Sequence, residues 1–126
     1  MKKSISIIIP AYNEEERIGK TLFQYHEYLK KRGVDFEILV VDDGSSDGTV
    51  STVNKLKKVM PNVSVMESKP NRGKGFVVRL GMLNAQGQVR CMVDADCSIV
   101  PDQLERLLEP LQPVSYTHLR AHETLR

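Results

Sequence analysis

The strongest constraint on how this chain can fold is an alternation. Four short apolar runs rich in β-branched residues lie at 5–9, 36–41, 63–66 and 89–93, with stretches of three- and four-residue periodicity between them. The first two runs, ISIII and FEILVV, are apolar almost throughout, the pattern of strands covered on both faces. Ile18, Leu22, Tyr25 and Leu29 trace one helical face, and Gly33 supplies its stop. Val50, Val53, Leu56 and Met60 trace a second, ended by Pro61. Val77, Leu80 and Asn84 give a weaker third, with Gly87 just past it. Leu104, Leu107, Leu108 and Leu111 give a fourth, opened by Pro101 and Asp102. The expected order is β-α-β-α-β-α-β-α. Right-handed crossovers then give an α/β fold, a mostly parallel sheet with helices on both faces. Ligands in such sheets bind at the carboxyl ends of the strands, so the residues that follow each strand carry the functional information.

Composition bounds the rest. The 126 residues suffice for one domain with a real core, and 40% hydrophobic and 27% charged residues are ordinary globular values. A net charge of +2 gives no ground for a nucleic-acid partner. No apolar run approaches the roughly 18 residues of a membrane span. Met1, Lys2 and Lys3 followed by ISIII could open a signal peptide, but the run stops at Pro10, short of the roughly 7–15 apolar residues required. Cys91 and Cys97 are expected to be reduced thiols in a cytoplasmic domain; the other reading is a reactive thiol at Cys97.

After the first run comes PAYNEEER. Pro10 is expected to end the strand, since it cannot donate to a ladder. Glu14, Glu15 and Glu16 are expected at the start of the next helix, where its dipole favours them. Tyr12, at the mouth of the sheet, is suited to lie against a nucleobase. After the second run comes DDGSSDGT, in which Ser46 or Asp47 can cap a helix. That capping leaves two adjacent carboxylates to explain, and Asp43 can accept hydrogen bonds from a base or ribose.

After the third run, NRGKG lacks Walker-loop spacing, yet it is a basic, glycine-containing turn that opens a helix. Its backbone N–H groups, with Arg72 and Lys74, can face an anion; a solvated turn is the plainer reading. After the fourth run, Asp94 and Asp96 stand two apart, within reach of one hard cation. Mg²⁺ or Mn²⁺ takes one or two carboxylates together with phosphate oxygens and water. A turn explains most Asp-x-Asp pairs, but this one follows a buried strand and stands beside the other three constellations.

Together, IIIPAYNEEERI, EILVVDDGSSDGT, NRGKGFVVRLGM and MVDADCS resemble the family 2 glycosyltransferases of GT-A fold, a Rossmann-like architecture, over residues 4–112. Within that family the chain is most similar to the dolichyl- or polyprenyl-phosphate sugar transferases, and NRGKG followed by VRLGM leans to the glucosyl branch over the mannosyl. The resemblance implies a partial nucleotide-sugar-binding subdomain at 1–112, incomplete at its C-terminal side. It implies that Pro10, Ala11, Tyr12 and Glu14 line the nucleotide site and that Asp43 contacts base or ribose. Asp94, Ala95 and Asp96 would hold the diphosphate, with Asp94 and Asp96 as metal ligands and Asp96 the more direct of the two. Arg72 and Lys74 would lie near the phosphates.

The implied reaction is inverting transfer of a sugar from a UDP- or GDP-linked donor to an acceptor, a polyprenyl phosphate in the nearest subgroup. A phosphate acceptor is already anionic and needs no base, and none is identified here. The sequence departs from the family pattern at Cys97 and at Phe76, Val77 and Val78, and an acceptor-binding half is not represented. The chain alone is therefore expected to bind nucleotide weakly and turn over little, and the parent to sit at the cytoplasmic face of a membrane. Residues 113–126 resemble a translated sequencing adapter, which implies a non-native tail; a disordered or weakly helical terminus is the other reading, and neither gives His118 or His122 a catalytic role. Two other classes stand against the transferase. A sugar-phosphate nucleotidyltransferase should carry a glycine- and arginine-rich loop after the first strand, and PAYNEEER is not one. A non-catalytic module could be a decayed or a truncated domain; the intact Asp-Ala-Asp argues against decay but not against truncation.

Overall fold

The structure is a computed structural model that describes residues 4–96 and 101–105. Its element order is β1 (Ser4–Ala11), α1 (Ile18–Arg32), β2 (Asp35–Asp42), α2 (Thr49–Leu56), β3 (Val63–Glu67), α3 (Lys74–Asn84), β4 (Val89–Met92) and a 3₁₀ turn, Pro101–Leu104. All strand pairs are parallel, in the order β3-β2-β1-β4. The expected α/β sheet is therefore present. Most of the fourth expected helix, the residues beyond 105, and Cys97 lie outside the described residues.

Alternate side chains of the central strands enter two apolar layers. Ile5, Ile7 and Ile9 of β1, with Ile38 and Val40 of β2, pack against Leu22, Tyr25 and Leu29 of α1 and Val53 of α2. Ile8, Leu39 and Val41 face Val77 of α3 on the opposite side. Each fully buried Ile or Leu contributes roughly 1.5–3 kcal/mol, which is why two strands with no polar face are stable only in the centre of the sheet. Ser6 is the buried polar exception on β1. It is fully buried, donates to Glu37 Oε2 at 2.6 Å and accepts the Gly87 N–H at 2.8 Å.

Three expectations change. β1 runs through Pro10 to Ala11, with Pro10 opposite Val41 and Ala11 opposite Asp42. The reason lies in the other neighbour. Ile8 faces β4, where its carbonyl accepts the Val93 N–H, and pairing with β4 ends at Met92. Pro10, two residues on, faces the same side beyond the end of that ladder, so its missing N–H leaves nothing unpaired.

The regular part of α2 stops at Leu56, with Lys57 as its C-cap, while Met60 still packs into the core from the turn that follows. Finally, the carboxylates of NEEER are not in the first turn of α1, which begins at Ile18. Glu15 Oε1 instead accepts the N–H of Gly48, the N-cap of α2, at 3.0 Å. The dipole argument holds, but for a helix whose N-cap lies 33 positions along the chain.

Candidate functional site

The strand order reverses beside β1: β2 and β3 lie on one side of it and β4 on the other. At the carboxyl ends of β1 and β4 the loops diverge and leave an open cleft lined by Pro10, Ala11, Tyr12, Glu14, Asp43, Lys74, Val77 and Asp94. Seven of these eight are among the residues that their place after a strand or the family resemblance points to; Val77 is the addition, known from the sequence as part of a helical pattern and a departure from the family's. It lies on the first turn of α3, fully buried, and forms apolar wall beside Lys74.

The loops around the cleft hold each other. Asn13, at φ 53° in a left-handed conformation that Asn tolerates, donates its backbone N–H to Ser45 Oγ at 2.8 Å. Its side-chain oxygen accepts the Ser46 N–H at 2.8 Å and the Asp47 N–H at 3.3 Å. Glu14 N–H donates to Thr49 Oγ1 at 2.9 Å. Asp42, fully buried, accepts from the backbone and hydroxyl of Ser45 and so fixes the turn after β2. The N-cap of α2 is Gly48, not Ser46 or Asp47 as expected; Asp47, one residue before it, accepts the Thr49 N–H at 3.0 Å. The Thr49 hydroxyl, then the surrounding backbone donors, hold the Asp47 carboxyl below its ordinary value of 3.8. None of the Asn13 or Glu15 contacts was legible locally, because each partner lies more than 30 residues away.

Asp43 is 4% exposed, and its two carboxylate oxygens accept the backbone N–H groups of Arg72 at 2.7 Å and Gly73 at 2.9 Å. Asn71 Nδ2 donates to the Asp43 carbonyl at 2.9 Å. The anion that the NRGKG backbone faces in this structure is thus a side chain of the protein. Gly44, at φ +74°, completes the fit: a Cβ there would stand 2.9 Å from the Asn71 nitrogen.

Lys74 Nζ reaches Asp94 Oδ1 at 2.9 Å and bridges α3 to the end of β4. Arg72 is exposed, with its guanidinium carbon 5.2 Å from the centre of the Phe76 ring, outside the cleft lining. Ala95 turns inward: its side chain is in the core and its carbonyl accepts the Thr21 hydroxyl at 2.6 Å. It fixes the chain between its neighbours and does not line the cleft. Asp96 is exposed, beside that cleft in sequence but not among its lining residues.

The donor set fits a hard divalent ion. Asp94 offers carboxylate oxygen to the cleft and already holds a cationic group at 2.9 Å, the Lys74 ammonium. Among the described residues no three His, Cys, Asp or Glu side chains converge as a self-sufficient metal cage.

Residues 6–116 match the family model described as glycosyl transferase family 2. The chain belongs to glycosyl transferase family 2. A dolichyl-phosphate beta-glucosyltransferase of Trichomonas vaginalis is 35% identical over 118 residues, which cover 90% of this chain and 36% of that protein. Among solved structures, the Pyrobaculum calidifontis mannosyltransferase PcManGT, in complex with GDP-Man and Mn²⁺, is 26% identical with a TM-score of 0.69, over 87% of this chain and 34% of that one. S. aureus TarS 1–349, in complex with UDP-GlcNAc, is 30% identical with a TM-score of 0.65, over 84% and 30%. The chain thus spans about a third of the length of the relatives it matches. The family's α/β fold agrees with the parallel sheet and its helices on both faces.

Proposed function

We propose that this chain forms the donor-binding part of a metal-dependent hexosyltransferase that moves a sugar from a UDP- or GDP-linked donor to a polyprenyl phosphate. The observation that carries this reading is the Lys74–Asp94 pair, set in the cleft at the point where strand order reverses. Glucose is the favoured hexose, in line with the glucosyltransferase relative. The cleft has a volume of about 160 Å³. Ligand pockets occupy roughly 300–1,000 Å³, so this surface covers part of a nucleotide sugar and does not enclose it.

Each residue has a role in this proposal. Tyr12, 49% exposed at the rim, offers an aromatic face to the base, with Pro10 and Ala11 forming the floor. Asp43 spends one lone pair of each oxygen on the NRGKG backbone and has others to accept from a base N–H or ribose hydroxyl. Asp94 and Asp96 supply oxygen ligands to Mg²⁺ or Mn²⁺, and Lys74 supplies positive charge to the diphosphate. The ion, when bound, offsets the negative charge that develops on the departing nucleotide. An anionic phosphate acceptor makes a protein base unnecessary.

Thermal melts with UDP, GDP and UDP-glucose, each with and without Mn²⁺, test the proposal. A nucleotide at 100 times its dissociation constant adds about 2.7 kcal/mol to stability. The expected result is stabilisation that requires both metal and nucleotide. No shift under any condition would identify an inert α/β module instead.

A further inference from the structure

We infer that Lys74 is a built-in counter-cation for Asp94, that metal entry displaces it, and that the freed ammonium is then handed to the donor diphosphate. This rests on the metal and nucleotide reading above. Lys74 opens α3 and Asp94 follows β4, so the pair joins two walls of one cleft. The partners are unequally held: the Lys74 side chain is 59% exposed and that of Asp94 29%. A flexible ammonium stem therefore reaches in from solvent over a carboxylate fixed at a strand end. The backbone behind that carboxylate is anchored, since the Ala95 carbonyl accepts the buried Thr21 hydroxyl.

A divalent ion at Asp94 and the ammonium carry like charge at the same oxygen, so one repels the other. The displaced Lys74 then needs an anion. Of the other cleft-lining carboxylates, Glu14 is paired with Arg17 at 2.7 Å, and the buried Asp43 holds two backbone N–H groups and keeps its remaining lone pairs for base or ribose. The arriving diphosphate is the anion that remains. Lys74 consequently weakens binding of the metal alone and strengthens binding of nucleotide once metal is present. Metal and nucleotide load as a coupled pair, and metal without nucleotide is disfavoured.

The signature is a change of opposite sign on one substitution. Lys74→Met should tighten binding of Mn²⁺ alone by roughly 1.5- to 5-fold, the range for loss of an exposed ion pair, when free Mn²⁺ is titrated by electron paramagnetic resonance. The same variant should weaken UDP in saturating Mn²⁺, measured by calorimetry. Lys74→Arg, which keeps the charge, should stay near wild type in both. Unchanged or weaker Mn²⁺ binding by Lys74→Met overturns the counter-cation role alone. Unchanged UDP affinity in Mn²⁺ overturns the hand-over. A wild-type chain that binds no Mn²⁺ with or without UDP overturns this inference together with the reading beneath it.

Discussion

The carboxylate of Asp43 accepts the backbone N–H of Gly73 at 2.9 Å, across 30 residues of sequence, while its other oxygen takes the N–H of Arg72. The loop that carries Lys74 into the cleft is therefore positioned by a side chain from the end of β2. Hydrogen bonds to a charged acceptor contribute about 1.5–3 kcal/mol each, and two are lost together in Asp43→Ala. Because the residue is buried, we expect that variant to lose roughly 3–6 kcal/mol in urea denaturation, with faster amide exchange at Arg72 and Gly73. Asp43→Asn keeps one good acceptor and should lose less. Equal stability of wild type and Asp43→Ala would mean that the tether carries no load.

Two glycines of α3 should respond in opposite directions to the same change. A Cβ on Gly81 would stand 2.7 Å from Ile8 Cγ2 and 3.0 Å from Val41 Cγ2, whereas one on Gly75 meets nothing within 4 Å. Replacing glycine by alanine in a helix gains up to about 1 kcal/mol. At Gly81 overpacking against the sheet costs about 1–3 kcal/mol and should win. Thermal melts should show Gly75→Ala unchanged or slightly stabilised and Gly81→Ala destabilised. A stabilised Gly81→Ala would mean that α3 stands further from the sheet.

These two positions show what the sequence could and could not convey. Strands 1 and 2 were legible because burial on both faces leaves only apolar, β-branched residues, and α1 because four large side chains repeat on one face. The third helix read weakly because the position nearest the sheet is Gly81, where the absence of a side chain makes the contact. Glu15 was assigned to the wrong helix because a carboxylate run shows that an N-terminus is near without showing whose. Asp43 was placed at the cleft, but its hold on Arg72 and Gly73 depends on a tertiary approach that no local pattern encodes. Asp94 was legible from its place after a buried strand, whereas its pairing with Lys74 was not.

The turn after β2 should show a defined acid response. The Thr49 hydroxyl is the first of the donors that hold the Asp47 carboxyl below 3.8. A depressed folded value means the stabilising contribution is present above the unfolded value and is lost as pH falls through the folded one. The loss therefore sets in about one unit above pH 3.8, as the unfolded carboxyl begins to protonate, and runs on to below it, with none near neutrality. Carbon-detected NMR titration should place Asp47 below 3.8 in the wild type and move it upward in Thr49→Val. An unchanged midpoint would assign the shift to the backbone donors alone.

The central claim is that the Asp94 end of the cleft holds a divalent ion with a nucleotide diphosphate, and paramagnetic broadening by Mn²⁺ locates that ion directly. In amide NMR spectra with UDP present, substoichiometric Mn²⁺ should broaden Asp94, Asp96, Lys74 and Tyr12 first, and Asp94→Asn should abolish the effect. The acidic surface formed by Glu14, Glu15, Glu16 and Asp47 is the natural competitor for a cation. Broadening centred on Glu16 and Asp47, or broadening at the cleft that survives Asp94→Asn, would contradict the account.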